Sequence, residues 1–196
     1  MADLDFDNDK TALLVCDMQN DQVGAVTKAG QIRNIIENNQ KAIAGARQAG
    51  IPVMYVVANF RAGYPEAHPN NRFQQANKAA GRLLEGSQMA AVNDAVAPED
   101  GDIIIRKRRV NAFYATDLDI VLKAQGIETI VLTGIADGGV ILSTTRYASD
   151  ADYKIVILED CTADRSAESH EFLCGTIFPR QADVAGVDDF LKTAAG

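Results

Sequence analysis

The sequence predicts an α/β fold, a three-layer α/β/α arrangement around a mainly parallel six-stranded sheet. Two observations carry this. Apolar runs at residues 12–16, 52–58, 103–105, 129–132 and 154–158, with a short one near 182–184, alternate with segments of helical spacing. The runs are nearly continuous in Val, Ile and Leu instead of alternating with polar residues, as suits parallel strands covered on both faces.

Taken in order, the first run closes at Asp17 and is followed by a predicted helix over residues 32–48. Gly50-Ile51-Pro52 stops that helix ahead of the second run, and Gly126-Ile127 does the same after a helix over 117–124. Residues 59–100 break the rhythm. They hold Pro65, Pro69 and Pro98 with many polar residues, and only a weak helical piece at 74–80. A segment this long is more than a connection. It leaves the carboxyl end of strand two, where open α/β sheets place their ligand crevice, so it is expected either to cover a substrate or to make a surface or subunit contact. The third run extends to Lys107, and the fourth enters the turn Gly134-Ile135-Ala136-Asp137-Gly138-Gly139-Val140. Helices are expected over 140–149 and 168–175. No repeat, low-complexity tract or linker divides the chain, so residues 1–196 are expected to form one domain.

Composition narrows the function. The chain is 47% hydrophobic and 23% charged, which is ordinary for a globular protein. With 27 acidic against 19 basic residues the net charge is −8, which argues against a nucleic-acid surface. The one dense basic run is Arg106-Lys107-Arg108-Arg109, either a solvated strand end or a pocket rim. No apolar stretch reaches the length of about 18 residues that a membrane helix needs, and the start lacks a secretion-signal layout. A cytoplasmic protein with no membrane partner is expected. Cys16, Cys161 and Cys174 are odd in number, widely spaced and in no CxxC pair, and are expected to be buried, inert thiols.

Three strand ends carry the chemistry. Asp17 at the mouth of a parallel sheet is partly desolvated, which suits proton exchange near neutral pH; an Asp there also fits a plain turn. Lys107 at the third strand end can pair with Asp17 and stabilise an oxyanion or a substrate carboxylate, or can be one more surface cation. The turn ending at Val140 has two adjacent glycines and opens a helix, so its N–H groups can receive an anion. Its spacing is not that of a phosphate loop, and no G-x-G-x-x-G follows the first strand.

Together these segments resemble the isochorismatase-like hydrolase superfamily, often called cysteine hydrolases, which implies a Rossmann-like fold. Leu13-Leu14-Val15-Cys16-Asp17-Met18-Gln19-Asn20-Asp21 is similar to the family's strand-one motif. Residues 107–113 match its K-x-R-x-x-A-F segment, and Thr133-Gly134-Ile135-Ala136 with Ser143-Thr144 its third motif. The resemblance implies that Asp17 and Lys107 are catalytic. Counting along the third motif places the amidase members' nucleophilic Cys at Val140, and Ala136, Asp137, Gly138 and Gly139 in the oxyanion or substrate turn. It also implies a cis peptide at Ile135–Ala136 and a homo-oligomer. The D-x-H metal site of nicotinamidase members has no counterpart after strand two. No metal or cofactor is therefore expected, and His68 and His170 are expected to be exposed or capping.

A valine cannot attack a carbonyl, so the thiol route is closed at position 140. True isochorismatases need the Asp and no nucleophilic Cys, because a vinyl ether is hydrolysed by protonation and water addition. The leading expectation is that Asp17 and Lys107 hydrolyse a vinyl ether. The alternatives are amide or ester hydrolysis by Asp17-activated water, and a non-catalytic ligand-binding or assembly protein. A small anionic substrate is expected, contacted by Gln19, Arg61, Tyr64, Arg72 and Phe113; Arg61 and Arg72 equally suit surface ion pairs.

Overall fold

Six strands form one parallel sheet: β1 (Thr11–Cys16), β2 (Val53–Ala58), β3 (Ile103–Lys107), β4 (Thr129–Ile135), β5 (Lys154–Ala163) and β6 (Asp183–Ala185), in the spatial order β3-β2-β1-β4-β5-β6. The computed structural model describes residues 4–30 and 34–196; the expected helix start at Ile32 and the first three residues lie outside them.

The apolar runs form strands because both of their faces are covered. In β1, Ala12, Leu14 and Cys16 pack into one core and Leu13 and Val15 into the other, following the two-residue period of a strand. Helices α1 (Asn20–Lys28), α2 (Ile35–Gln48) and α7 (Val187–Ala194) cover one face through Val23, Val26, Ile43 and Phe190. Helices α4 (Leu118–Ala124) and α5 (Leu142–Asp150) cover the other through Leu118, Leu122 and Ala148. The expected helices at 140–149 and 168–175 each combine a regular helix with a wider turn. Asp137–Ile141 is a π-type turn ahead of α5, and α6 (Ala167–Phe172) runs into another at Leu173–Ile177.

The long segment after β2 carries α3 (Arg72–Ala79) and a small core of its own, built from Ala58, Phe60, Tyr64, Leu83 and Ala90. It is fastened to the rest of the fold by Gln19, which bridges to Val92, and by Arg47 of α2, which pairs with Glu99 at 2.6 Å and Asp102 at 2.5 Å.

Adjacent strands β1 and β4 connect onward in opposite directions, to β2 and to β5. The crevice where such connections diverge is the usual ligand site of a doubly wound sheet. β1 and β4 also approach closely there. Gly134 sits at φ +112°, and a Cβ on it would lie 1.8 Å from the Cys16 carbonyl oxygen. Gly134→Ala is therefore expected to destabilise the protein by more than about 3 kcal/mol, at or beyond the usual upper range for one substitution, as read from chemical denaturation.

Candidate active site

Asp17 leaves β1 with φ +50°, a left-handed conformation that Asp tolerates better than most residues. Its N–H still donates to the Val56 carbonyl at 2.8 Å, so the residue stays anchored to the sheet. Lys107 ends β3, two strands away. Strand spacing puts the two backbones about 10 Å apart, a distance that a lysine side chain closes across the end of β2. The Lys107 Nζ donates to Asp17 Oδ2 at 2.8 Å and to the Arg109 carbonyl at 3.3 Å.

The pair is dry. Asp17 is 4% and Lys107 2% exposed, and Asp17 Oδ1 has no hydrogen-bond partner among the described residues. Loss of hydration outweighs the attraction of Lys107 and holds the Asp17 carboxyl above the ordinary carboxylate range. A carboxyl that keeps its proton to higher pH and has one uncommitted oxygen is suited to proton transfer.

The peptide Ile135–Ala136 is cis, and the chain then turns tightly into α5. Two of the turn amides expected to receive an oxyanion are already committed. Gly138 N–H donates to Asp164 Oδ2 at 2.8 Å, and Gly139 N–H to the Ala136 carbonyl at 3.0 Å. Asp137 is fully buried and bonds to His170 Nδ1 at 2.8 Å.

A cavity of about 640 Å³ opens at this point, and Asp17, Lys107, Ala136, Gly138, Gly139 and Val140 all line it. The long segment adds Phe73, Gln74, Asn77 and Arg82, and the region after β5 adds Asp164, Arg165 and Phe172. The cavity's cations are unequally engaged. Arg82 pairs with Asp21 and Lys107 with Asp17, whereas Arg109 and Arg165 have no carboxylate at ion-pair distance among the described residues.

The five residues expected to contact substrate lie away from this lining. Gln19 is fully buried, and its carboxamide holds the Ala58 carbonyl at 2.9 Å, the Ala90 carbonyl at 2.6 Å and the Ala58 N–H at 2.8 Å. Arg61 is exposed and pairs with Glu66 at 2.5 Å; Arg72 is exposed at the start of α3. The Tyr64 hydroxyl donates to the Arg82 carbonyl at 2.7 Å, and Phe113, in the core, stacks on the exposed Tyr147 at 4.8 Å. Their chemistry suits a ligand, but backbone and core contacts use that of Gln19, Tyr64 and Phe113, and an ion pair that of Arg61. Asp137 likewise belongs to the turn without facing the cavity. Residues that do line it, beyond Asp17, Lys107 and the turn, include Arg82, Arg109, Arg165, Phe73 and Phe172. Of these, Arg109 was visible as the arginine of the K-x-R-x-x-A-F segment. His68 is exposed and accepts the Asn70 N–H, as a turn cap would, but His170 is neither exposed nor capping.

A buried carboxyl and lysine thus meet at the crevice of a doubly wound sheet, in a cavity large enough for a small molecule. The chain belongs to the isochorismatase family: the model of the isochorismatase domain matches residues 11–189. It is 36% identical over 179 residues to the ureidoacrylate amidohydrolase RutB of Methylorubrum extorquens (strain DSM 6343 / CIP 106787 / DM4), covering 80% of this chain and 71% of that one. The structure of a cysteine hydrolase from Pseudomonas syringae pv. phaseolicola 1448A shares the fold with a TM-score of 0.86 at 23% identity, covering 97% of this chain and 94% of that one. N-carbamoylsarcosine amidase from Thermoplasma acidophilum aligns with a TM-score of 0.72 at 26% identity, over 91% of this chain and 97% of that one. The protein is thus a hydrolase acting on a small molecule. Among the described residues no helix is long and apolar enough to cross a membrane.

Proposed function

We propose that this protein hydrolyses a small anionic vinyl ether, with Asp17 as general acid and no covalent intermediate. The observation that carries this reading is the Asp17 carboxyl: desolvated, raised in pKa, and lining the cavity with Oδ1 uncommitted. Asp17 delivers its proton to the terminal enol carbon, and the resulting oxocarbenium ion is attacked by water at the carbon bearing the ether oxygen. The water's surplus proton returns to the Asp17 carboxylate. The hemiketal then collapses to a carbonyl compound and an alcohol. Lys107 fixes the acid's orientation through Oδ2, and Arg109 and Arg165 supply positive charge for a substrate carboxylate.

Val140 lies in the cavity wall, 2% exposed, where the family resemblance places the amidases' thiol. None of the three cysteines lines the cavity, and burial pushes each thiol upward, that of Cys174 to about 12. A displaced thiolate nucleophile is disfavoured on both counts.

The activities for which RutB and the Thermoplasma enzyme are named favour a second reading, in which ionised Asp17 activates water on an amide or carbamoyl carbon. The pH dependence of kcat on enol ether and amide panels separates the two. General acid catalysis loses activity as pH rises through the Asp17 pKa, and base catalysis gains it. The expected result is turnover of an enol ether that falls with rising pH. Turnover confined to amides and rising with pH overturns the first reading.

A further inference from the structure

We infer that Asp137, His170 and Cys174 form a binding site for one zinc-type transition-metal ion behind the cavity wall. Their ligand atoms all lie within 4.8 Å of one another, and neither Asp137 nor Cys174 is exposed. Imidazole nitrogen, thiolate and carboxylate oxygen are zinc's characteristic donors. The site differs in position and composition from the D-x-H pattern sought after β2, and its residues come from two distant parts of the chain.

Local structure explains how the ligands meet. His170 and Cys174 are four residues apart where α6 passes into the π-type turn Leu173–Ile177, so they share one face. Asp137 opens the turn after β4 and approaches that face from the sheet. Cys174 Sγ lies 3.8 Å from His170 Nδ1. Two ligands on one tetrahedral zinc, with Zn–S of about 2.3 Å and Zn–N of about 2.0–2.1 Å, stand roughly 3.6 Å apart. The 2.8 Å contact from Asp137 Oδ2 to the same nitrogen is shorter than ligand separation allows, so the carboxylate would pivot by a few tenths of an ångström or present its other oxygen. That oxygen, Asp137 Oδ1, is buried and unpartnered among the described residues. An orphaned carboxylate oxygen in a dry site is costly, and a cation beside it removes the cost.

A nucleophilic Cys–His–Asp triad is the rival use of these residues. It requires the acid and the thiol on opposite ring nitrogens, whereas here both meet Nδ1, and Cys174 does not line the cavity. With a thiolate, a carboxylate and a neutral imidazole, a divalent ion brings the site to zero net charge. One tetrahedral position remains for water. The ion would clamp the segment from Ser169 to Leu173 to the turn that begins at Asp137, and both lead into the cavity wall. Its role would be to fix that wall.

Chelator-treated full-length protein titrated with Co²⁺ tests the site by a readout independent of activity. The expected result is saturation at one equivalent with a thiolate-to-cobalt charge-transfer band, displacement by Zn²⁺, and a higher Tm with Zn²⁺. Cys174→Ser should lose the band, and His170→Gln should bind at least about tenfold more weakly, each with the wild-type circular dichroism spectrum. A wild-type protein without a saturable band overturns the proposal, as does a folded variant of either kind that keeps wild-type affinity and spectrum.

Discussion

Asp17→Asn is expected to lower kcat by about 10²- to 10⁴-fold, the usual contribution of a positioned proton donor, while the protein stays folded. The amide has the same shape, and its oxygen still accepts from Lys107, so the approach of β1 and β3 at the cavity is kept. What disappears is the transferable proton at Oδ1, the oxygen without a protein partner. A nearly dry ammonium then lacks its counter-charge, so some loss of stability accompanies the change. Circular dichroism and thermal melting on the same preparation separate the two effects. A folded Asp17→Asn protein with near wild-type kcat would remove Asp17 from the mechanism.

Asp17, Lys107 and the wall around Val140 could be read from the sequence because a parallel sheet presents its strand ends at one edge. A run that ends in a charged residue therefore announces where that residue will sit. The strands were legible for a related reason: residues covered on both faces must be apolar throughout. Helices α1 and α7 were not foreseen. The first contains Gly24 and the β-branched Val23 and Val26 and follows closely on the strand-one motif; the second does carry a helical signal, Val187, Phe190, Leu191 and Ala194 at helical spacing. Arg61, Tyr64 and Phe113 do not line the cavity; residue chemistry does not show which partner will use it. Glu66, a backbone carbonyl and Tyr147 do so here. Arg82 and Arg165 reach the cavity through the packing of separate segments, and the meeting of Asp137 with His170 arises in the same way.

Lys107→Met is expected to destabilise the protein, by up to about 3–5 kcal/mol where Asp17 is ionised, because it then leaves a buried carboxylate without its cation. The loss should depend on pH in a defined direction. Burial already raises the folded-state pKa of Asp17, and Lys107 opposes that rise, so its removal raises the pKa further. A raised folded pKa contributes stability that is present below the unfolded value, near 3.8, and is lost as pH rises through the folded value. The deficit in Tm relative to wild type should therefore be small in acid, where Asp17 is neutral in both proteins, and widen with pH. A deficit independent of pH would mean that Lys107 stabilises by packing alone. The same shift bears on mechanism. A general acid with a higher pKa stays protonated further into the alkaline range, so residual enol-ether turnover by Lys107→Met should hold to higher pH than in wild type. Catalysis by ionised Asp17 would instead retreat to higher pH on its acid side. One variant, followed by thermal melting and by a pH–rate profile, thus reports both the electrostatics of the buried pair and the protonation state in which Asp17 acts.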